Sequence, residues 1–332
     1  MGIVKDILYK VSNKRFLSIF KNQTIFPYYH IVSDNKVAHV DNLYQFKDCK
    51  QFSNDINVLT ANYKTLDPKD IIENNRLKNN RFLISFDDGL QEIYTIIYPI
   101  LKENNIKAIF FINPNFVDNN DGLYKHYISL IISHLRNNNF DEKVLQSIGQ
   151  LFSFTYNTDE EFVKQLINIK FSEREKINNV LELLDINIKE YLKEYKPYIT
   201  KGQIQEMIND GFYFGGHTMT HPPLNQLSHE DQKNEIVNSI NWLKENFNIN
   251  YSLFAFPFSD KLVSKKLLNE LFEYDRNIKL FGNSGLKKDI DNRIIQRFSL
   301  ENPNKQTERQ IVTENLYKFY NNIIGKYNIK RK

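Results

Sequence analysis

Residues 81–112 read RFLISFDDGLQEIYTIIYPILKENNIKAIFFI, which is an apolar run, a periodic stretch and a second apolar run. Residues 81–86 and 106–112 are predicted strands, because both runs are short and rich in β-branched and aromatic residues. Between them, from Leu90 to Leu101, apolar residues recur at helical spacing, and Pro99 is expected to kink that helix. A strand, a helix and another strand in this order indicate parallel pairing and an α/β fold.

The same alternation continues on both sides of this unit. Further strands are predicted at residues 26–32, 212–216, 251–256, 278–281 and 294–298, with a C-terminal helix at 311–324. Residues 118–200 instead show helical patterns separated by charged and Asn-rich turns, which indicates a helical insertion. The predicted organisation is an N-terminal helical extension over residues 1–23 and one domain over 24–332 that contains this insertion.

Composition limits the possible classes of protein. Hydrophobic residues make up 41% of the 332 and charged residues 25%, which is typical of a folded domain. The net charge of +4 is too small and too scattered to indicate nucleic-acid binding. The single cysteine, Cys49, excludes an internal disulfide and a cysteine-based zinc finger. The sequence contains no stretch of about 18 uncharged apolar residues, so no membrane-spanning helix is predicted.

The N-terminal residues form an amphipathic pattern. Ile3, Ile7, Leu8 and Val11 fall on one helical face. Charged residues (Asp6, Lys10, Lys14 and Arg15) interrupt any secretory apolar region, so we expect a cytoplasmic location. Two interpretations stay open, namely a terminal helix packed on its own domain and a helix lying on the inner surface of the membrane.

Two adjacent carboxylates follow the predicted strand at 81–86. Asp87 and Asp88, with Gly89 after them, lie where ligands bind in α/β folds, at the carboxyl end of a strand. Like charges this close repel each other, so a positive group is expected beside them. The alternative for an Asp-Asp-Gly sequence is an ordinary turn.

Histidines follow two other predicted strands. His217 and His221 are four residues apart after a Gly-Gly pair, a spacing that lets both imidazoles face one zinc ion together with a carboxylate. Two surface histidines are the alternative. His30 ends the first strand after two tyrosines, and its alternative is a buried core histidine.

Together these motifs resemble the polysaccharide deacetylases of carbohydrate esterase family 4. The motifs are Ser-Phe-Asp-Asp-Gly at 85–89, His-Thr-Met-Thr-His at 217–221, Phe-Ala-Phe-Pro-Phe at 254–258, Tyr-Tyr-His at 28–30 and Pro-Ile-Leu at 99–101. The resemblance covers about residues 24–115 and 200–300. It implies a distorted (β/α) barrel of about seven strands, with a metal site at the strand ends.

The resemblance also implies roles for particular residues. Asp87 becomes the catalytic base, and Asp88, His217 and His221 become ligands of Zn²⁺, with Co²⁺, Ni²⁺ or Mn²⁺ as alternatives. The backbone N–H of Phe258 would stabilise the oxyanion, and Pro257 would shape the turn that carries Phe258. Thr218 would support His221 or its loop.

The chain departs from the family's pattern at two positions. Members often carry an arginine two residues before the motif's proline, where this chain has Ala255, so Arg297 or Arg293 is expected to supply that charge. The usual late histidine that acts as general acid is also missing, and His30 is the predicted substitute, with a metal-bound water as the alternative.

The predicted function is metal-dependent removal of an N-acetyl group from an amino sugar of a bacterial surface glycan or its precursor. The alternatives are an O-deacetylase or deformylase, and a carbohydrate-binding protein that has lost catalysis. The expected partner is a carbohydrate or glycolipid rather than nucleic acid, with peripheral contact at the inner membrane. The insertion is expected either to wall the cleft or to form a dimer interface, so the oligomeric state stays open.

Overall fold

The strands of this computed structural model, which describes residues 3–73, 79–138 and 141–332, form one large and one small sheet. In chain order they are β1 Pro27–Tyr29, β2 Lys64–Thr65, β3 Arg81–Phe82, β4 Ser85–Phe86, β5 Ile109–Ile112, β6 Tyr213–Gly216, β7 Leu253–Ala255, β8 Lys279–Gly282, β9 Ile294–Gln296 and β10 Phe298–Ser299. The large sheet has the order β10-β1-β4-β5-β6-β7-β8-β9. Its described pairings are parallel, as the strand-helix-strand pattern predicted.

The last strand closes this sheet into a barrel. Only Arg297 separates β9, which pairs with β8, from β10, which pairs with β1. The predicted distorted (β/α) barrel is confirmed. The large sheet has eight strand segments rather than about seven, because the final strand is interrupted where the Arg297 N–H donates to the Gly282 carbonyl at 3.1 Å.

Helices surround the barrel. They are α1 Ile3–Val11, α2 Leu17–Phe20, α3 Cys49–Asn62, α4 Pro68–Glu73, α5 Tyr98–Glu103, α6 Tyr124–Asn137, α7 Glu142–Phe152, α8 Asp159–Ile167, α9 Glu175–Leu183, α10 Ile188–Tyr195, α11 Lys201–Asn209, α12 His229–Phe247, α13 Lys265–Tyr274 and α14 Thr307–Ile323. Thr200 caps α11 with a reciprocal bond from Gln203, and Ser228 caps α12.

Two predicted elements need correction. The apolar run at 81–86 is two strands, because β3 pairs with β2 in the small sheet and only β4 enters the barrel. The periodic stretch after it forms a π-helical turn, Ile93–Ile97, followed by α5. Pro99 lies in the first turn of α5, directly after this π-helical turn, whose last hydrogen bond runs from the Tyr98 N–H to the Ile93 carbonyl. The helix therefore departs from regular α-helical hydrogen bonding just before the proline, and the kink expected at Pro99 stays a prediction.

The segment between β5 and β6 contains helices α6 to α10 and an apolar cluster of its own. Ile128 and Ile131 of α6 are buried in this cluster together with Val37 and Val40 from the segment that follows β1. The cluster holds α6 against the segment after β1, so these two parts of the chain lie side by side.

Helix α1 lies against α14 through polar contacts. Lys5 pairs with Glu314 at 2.5 Å, and the Tyr9 hydroxyl accepts a hydrogen bond from the Gln306 N–H at 2.9 Å. The predicted apolar face points away from these contacts, and Ile3 and Ile7 are 80% and 56% exposed. The helix therefore packs on its own domain, but not through its apolar face. In the described part of the chain, every helix is too short or too polar to cross a bilayer.

Candidate active site

A tight turn follows β4 and carries both carboxylates. Asp88 and Gly89 have left-handed backbone angles, with φ of 74° and 67°. A Cβ at Gly89 would lie 3.2 Å from the Ile112 side chain, so both the angle and the close approach favour glycine. The turn leaves the side chains of Asp87 and Asp88 buried at the mouth of the barrel.

The structure brings Asp88, His217 and His221 together. The Asp88 Oδ1 lies 3.4 Å from the His217 Nε2 and 3.2 Å from the His221 Nε2. One ligand atom from each residue lies within 4.8 Å of the others, and all three residues are buried. Among the described residues, Asp88 Oδ1 has no hydrogen-bond partner of good geometry. A buried carboxylate and two imidazoles with free, converging atoms fit a divalent metal such as zinc.

The tautomer of His217 is fixed by a backbone carbonyl. Its Nδ1 lies 2.8 Å from the Ala255 oxygen, which can only accept, so Nδ1 carries the proton and Nε2 keeps its lone pair. Burial lowers the pKa of His221, which favours the neutral imidazole that binds metals. Both rings are therefore in the form that a metal site requires.

The loop between the two histidines is held from three sides. The Thr218 hydroxyl accepts the His221 N–H at 3.1 Å and donates to the His217 carbonyl. The Asn113 amide donates to the carbonyls of His217 and Thr218 at 2.5 and 3.1 Å. The Glu235 carboxylate accepts from the backbone N–H groups of Met219 and Thr220 at 2.7 and 3.0 Å.

Several site residues have strained backbones. Asp88, Thr218, His221 and Phe258 have φ of 74°, 68°, 54° and 52°, which side-chain-bearing residues rarely adopt. Each such conformation costs about 1–3 kcal/mol and persists only where the surroundings hold it. Their clustering around one cavity is the pattern expected of a functional site.

Asp87 forms a buried, two-bonded ion pair with Arg297. The guanidinium donates to Oδ1 at 2.7 Å and to Oδ2 at 2.9 Å, and also to the Ser85 hydroxyl. It stacks 4.6 Å from the centre of the Tyr28 ring. Burial works against ionisation of Asp87, but Arg297 outweighs it and holds the pKa of the carboxyl below its usual range. The sequence-based alternative, Arg293, pairs instead with Asp291 near the surface.

His30 is held by a carboxylate that the sequence analysis missed. One oxygen of Glu301 lies 2.8 Å from the His30 Nδ1, and the other accepts the backbone N–H groups of His30 and Ile31. Burial alone would lower the pKa of His30, but the charge of Glu301 raises it to about 10. His30 is therefore protonated at neutral pH, and its Nε2 is available to donate a proton.

The loop after β7 places Phe258 beside His221. Its ring centre lies 4.7 Å from that of His221, and its carbonyl accepts the Asn283 amide at 2.7 Å. Pro257 precedes it in the turn. Behind this loop, the buried Asp260 carboxylate accepts a bond from Arg331 at 2.6 Å, which anchors the loop to the end of the chain.

These groups line one cavity of about 300 Å³. Asp87, Asp88, His217 and His221 line it, as do residues of the other motifs, namely Tyr28, His30, Phe256 and Phe258. The sequence analysis did not identify the other lining residues, which are Leu43, Tyr44, Leu123, Lys125, His126, Ile167 and Asn283. No short motif marks these residues, because tertiary packing alone brings them to the cavity.

Comparison with protein families identifies the chain. The polysaccharide deacetylase family profile matches residues 74–136 and 154–275, which is more than half of the chain. The chain therefore belongs to the polysaccharide deacetylase family, as its motifs predicted. The matched range includes Asp87, Asp88, His217 and His221, whereas His30, Arg297 and Glu301 lie outside it.

Solved structures support the same fold. The Streptococcus pyogenes deacetylase PplD in complex with acetate superposes with a TM-score of 0.56 and 16% identity, over 88% of this chain and 98% of that chain. IcaB from Ammonifex degensii superposes with a TM-score of 0.53 and 14% identity, over 88% of this chain and 97% of that chain. A de-N-acetylase from Aggregatibacter actinomycetemcomitans superposes with a TM-score of 0.52 and 15% identity, over 87% of this chain and 99% of that chain. The comparison with curated proteins returned no match.

Metal analysis of two isosteric variants tests the ligand assignment. We expect one zinc ion per chain in the unaltered protein. Asp88→Asn should lower the zinc affinity by more than the ~10–100-fold loss that is typical when a residue that only supports a ligand is replaced. Asp87→Asn should keep the metal, because Asp87 is bonded to Arg297 rather than aimed at the histidines. Equal zinc content in all three proteins would contradict the assignment.

Proposed function

We propose that this chain is a metal-dependent hydrolase that removes an N-acetyl group from an amino sugar of a bacterial surface glycan or of its precursor. The observation that carries the proposal is the convergence of Asp88, His217 and His221 beside the Asp87–Arg297 pair in one cavity. The deacetylase and de-N-acetylase activities named for the structural neighbours agree with this chemistry. Zn²⁺ suits the donor set best, and Co²⁺, Ni²⁺ and Mn²⁺ are alternatives.

In the proposed mechanism, Asp87 is the general base. A divalent ion held by Asp88, His217 and His221 would polarise the acetamide carbonyl and ease deprotonation of water. Asp87 accepts the proton of the attacking water while the water oxygen bonds to the carbonyl carbon. Arg297 keeps Asp87 ionised and holds both carboxylate oxygens in place, so one orientation of the base is maintained.

Two other groups complete the reaction. The backbone N–H of Phe258 donates to the oxyanion that develops on the carbonyl oxygen. Protonated His30 then donates its Nε2 proton to the leaving nitrogen, the C–N bond breaks, and acetate and the free amino sugar result. Glu301 keeps His30 protonated and fixes its ring, so it is a positioning residue.

The structure favours catalysis over loss of activity. The hypothesis of a decayed enzyme depended on Ala255 and on the missing late histidine. Arg297 reaches Asp87 from the final strand, and Ala255 contributes its carbonyl to His217. His30 with Glu301 supplies a charged acid in the same cavity. Both gaps are thus filled by residues elsewhere in the chain.

We further propose that the substrate is presented at an anionic membrane surface, on the cytoplasmic side. Ile3, Ile7 and Val11 of α1 are exposed, and the polar face of α1 holds the helix on α14. Phe16 and Ile19, which follow it, are 47% and 69% exposed. Three exposed cations lie along the same segment, Lys10, Lys14 and Arg15. An apolar face bordered by cations suits the anionic cytoplasmic leaflet, where each cation contributes about 1 kcal/mol.

Acetate release tests the proposed function. We expect the protein to release acetate from N-acetylated amino sugars faster than from O-acetylated ones, and to lose activity with a chelator and regain it with zinc. Asp87→Asn should lower kcat by ~10²–10⁴-fold. Faster release from O-acetylated sugars would instead support the O-deacetylase alternative. The absence of release from both classes would contradict catalysis on sugars.

The pH dependence tests His30 and Glu301. Activity requires protonated His30, so kcat/KM should fall as the pH rises through its pKa of about 10. In Glu301→Gln the stabilising charge is lost and burial lowers the pKa, so the fall should move toward or below the ordinary histidine value of about 6.5. Glu182→Gln, at an exposed position, is the matched control. Superimposable profiles for the Glu301→Gln and unaltered proteins would remove His30 from the acid role.

Vesicle co-sedimentation tests the membrane surface. The full chain should bind vesicles containing phosphatidylserine, and less at high salt, because the cations are screened. Replacing Ile7 and Val11 with serine should reduce this binding without unfolding α1, whose contacts with α14 are polar. Leu183→Ser, an exposed apolar residue on α9, should bind like the unaltered protein. Equal binding by all three proteins would contradict the proposal.

A further inference from the structure

Two buried polar atoms on the wall of the cavity have no role in the proposed mechanism. Tyr44, from the segment after β1, and His126, on α6, both line the cavity. The Tyr44 hydroxyl and the His126 Nε2 are buried and lack a hydrogen-bond partner among the described residues. A buried polar group without a partner costs about 1–3 kcal/mol, so two of them beside one cavity point to a ligand that completes their bonds.

The hydrogen bonds around His126 define which proton it offers. The Tyr198 hydroxyl accepts the Leu123 N–H at 2.9 Å and lies 2.7 Å from the His126 Nδ1. Of these two partners only the His126 Nδ1 can accept, so the Tyr198 hydroxyl proton is directed to Nδ1. The neutral ring then carries its proton on Nε2. His126 thus presents an N–H donor.

Both groups are uncharged at neutral pH. Burial holds the pKa of His126 well below its usual range, and burial raises the pKa of Tyr44 well above its own. A neutral N–H and a neutral hydroxyl suit the hydroxyl, ether or carbonyl oxygens of a sugar. They do not supply the charge that a phosphate or carboxylate would require.

The wall that carries them is fixed in place. On α6, Lys125 donates to the carbonyls of Ile167 and Ile169 at 2.5 and 2.9 Å, which joins that helix to the end of α8. The Asn42 amide, two residues before Tyr44, donates to the Ser129 carbonyl of α6 at 2.9 Å. These bonds hold the two parts of the chain together, so the donors are positioned before a ligand binds.

We propose that Tyr44 and His126 are specificity-determining residues that hydrogen-bond the ring substituents of one N-acetylated amino-sugar unit while its acetyl group lies at Asp87 and Asp88. The inference rests on the proposed function and extends it to the residues that recognise the sugar. A cavity of about 300 Å³ is at the small end of ligand sites, which suits a single sugar ring. The helical segment between β5 and β6 thereby contributes directly to the choice of substrate.

Conservative variants separate recognition from folding. Tyr44→Phe removes only the hydroxyl, and His126→Asn keeps an acceptor for Tyr198 while removing the Nε2 donor. Tyr63→Phe is the matched control, because the Tyr63 hydroxyl is also buried without a described partner but lies away from the cavity. Deleting an unsatisfied hydroxyl should leave the denaturant midpoint unchanged or raised, so a loss of function in Tyr44→Phe would not reflect unfolding.

The assay uses two probes, N-acetylglucosamine oligosaccharides of one to five units and p-nitrophenyl acetate, a small ester without a sugar. Tyr44→Phe and His126→Asn should each raise KM for the sugars about 3- to 10-fold, with kcat and hydrolysis of the small ester unchanged. Tyr63→Phe should change neither.

Each outcome has a distinct meaning. Unchanged KM for the sugars in both variants would overturn the inference and leave the proposed function intact. An equal loss on both probes would also overturn it, because it would indicate damage to the catalytic groups. Failure of the unaltered protein to release acetate from any of the sugars would contradict the proposed function itself.

Discussion

The buried ion pair between Asp87 and Arg297 is the interaction on which the site depends. A carboxylate at this depth is stable only with a counter-charge, and loss of one partner from a buried pair costs about 3–5 kcal/mol. The partner comes from Arg297, the residue that interrupts the final strand at the point where that strand leaves β8 and joins β1. The residue at the point where the barrel closes is therefore also the residue that keeps the proposed base ionised.

This pair also separates the tasks of two adjacent carboxylates. Asp87 has both oxygens bonded to Arg297, whereas Asp88 faces two imidazoles and keeps a free oxygen. The environments of the neighbouring residues thus differ, although their chemistry is identical. One is suited to accept a proton, and the other to hold a cation. The same cavity contains a third environment, in which Glu301 keeps His30 charged.

The site residues that lie together in one short loop could be predicted from the sequence. Asp87 and His217 directly follow strands of the barrel, and Asp88 and His221 lie in the same two loops, so a strand prediction and a short motif were enough to place them at one edge. Glu301, Asn113, Tyr44 and His126 could not be predicted in the same way, because their roles depend on contacts with distant parts of the chain.

Two further features show the same dependence on distant contacts. The orientation of α1 could not be predicted from its apolar periodicity, because Lys5 and Tyr9 make contacts with α14. The run at 81–86 could not be divided from its apolar character alone, since Leu83 and Ile84 between the two strands are also buried. In both cases pairing with a distant part of the chain decided the arrangement.

The origin of Arg297 in the final strand has a consequence for biosynthesis. The pairing of residues 298–299 with residues 27–28 joins positions about 270 residues apart, a contact that a growing chain can make only late. Until then β4, β5 and β6 can align and gather the two histidines with Asp88, while Asp87 lacks its guanidinium. A nascent chain would therefore bring Asp88, His217 and His221 together before Asp87 gains its counter-charge, and the proposed chemistry would begin only once the barrel is closed.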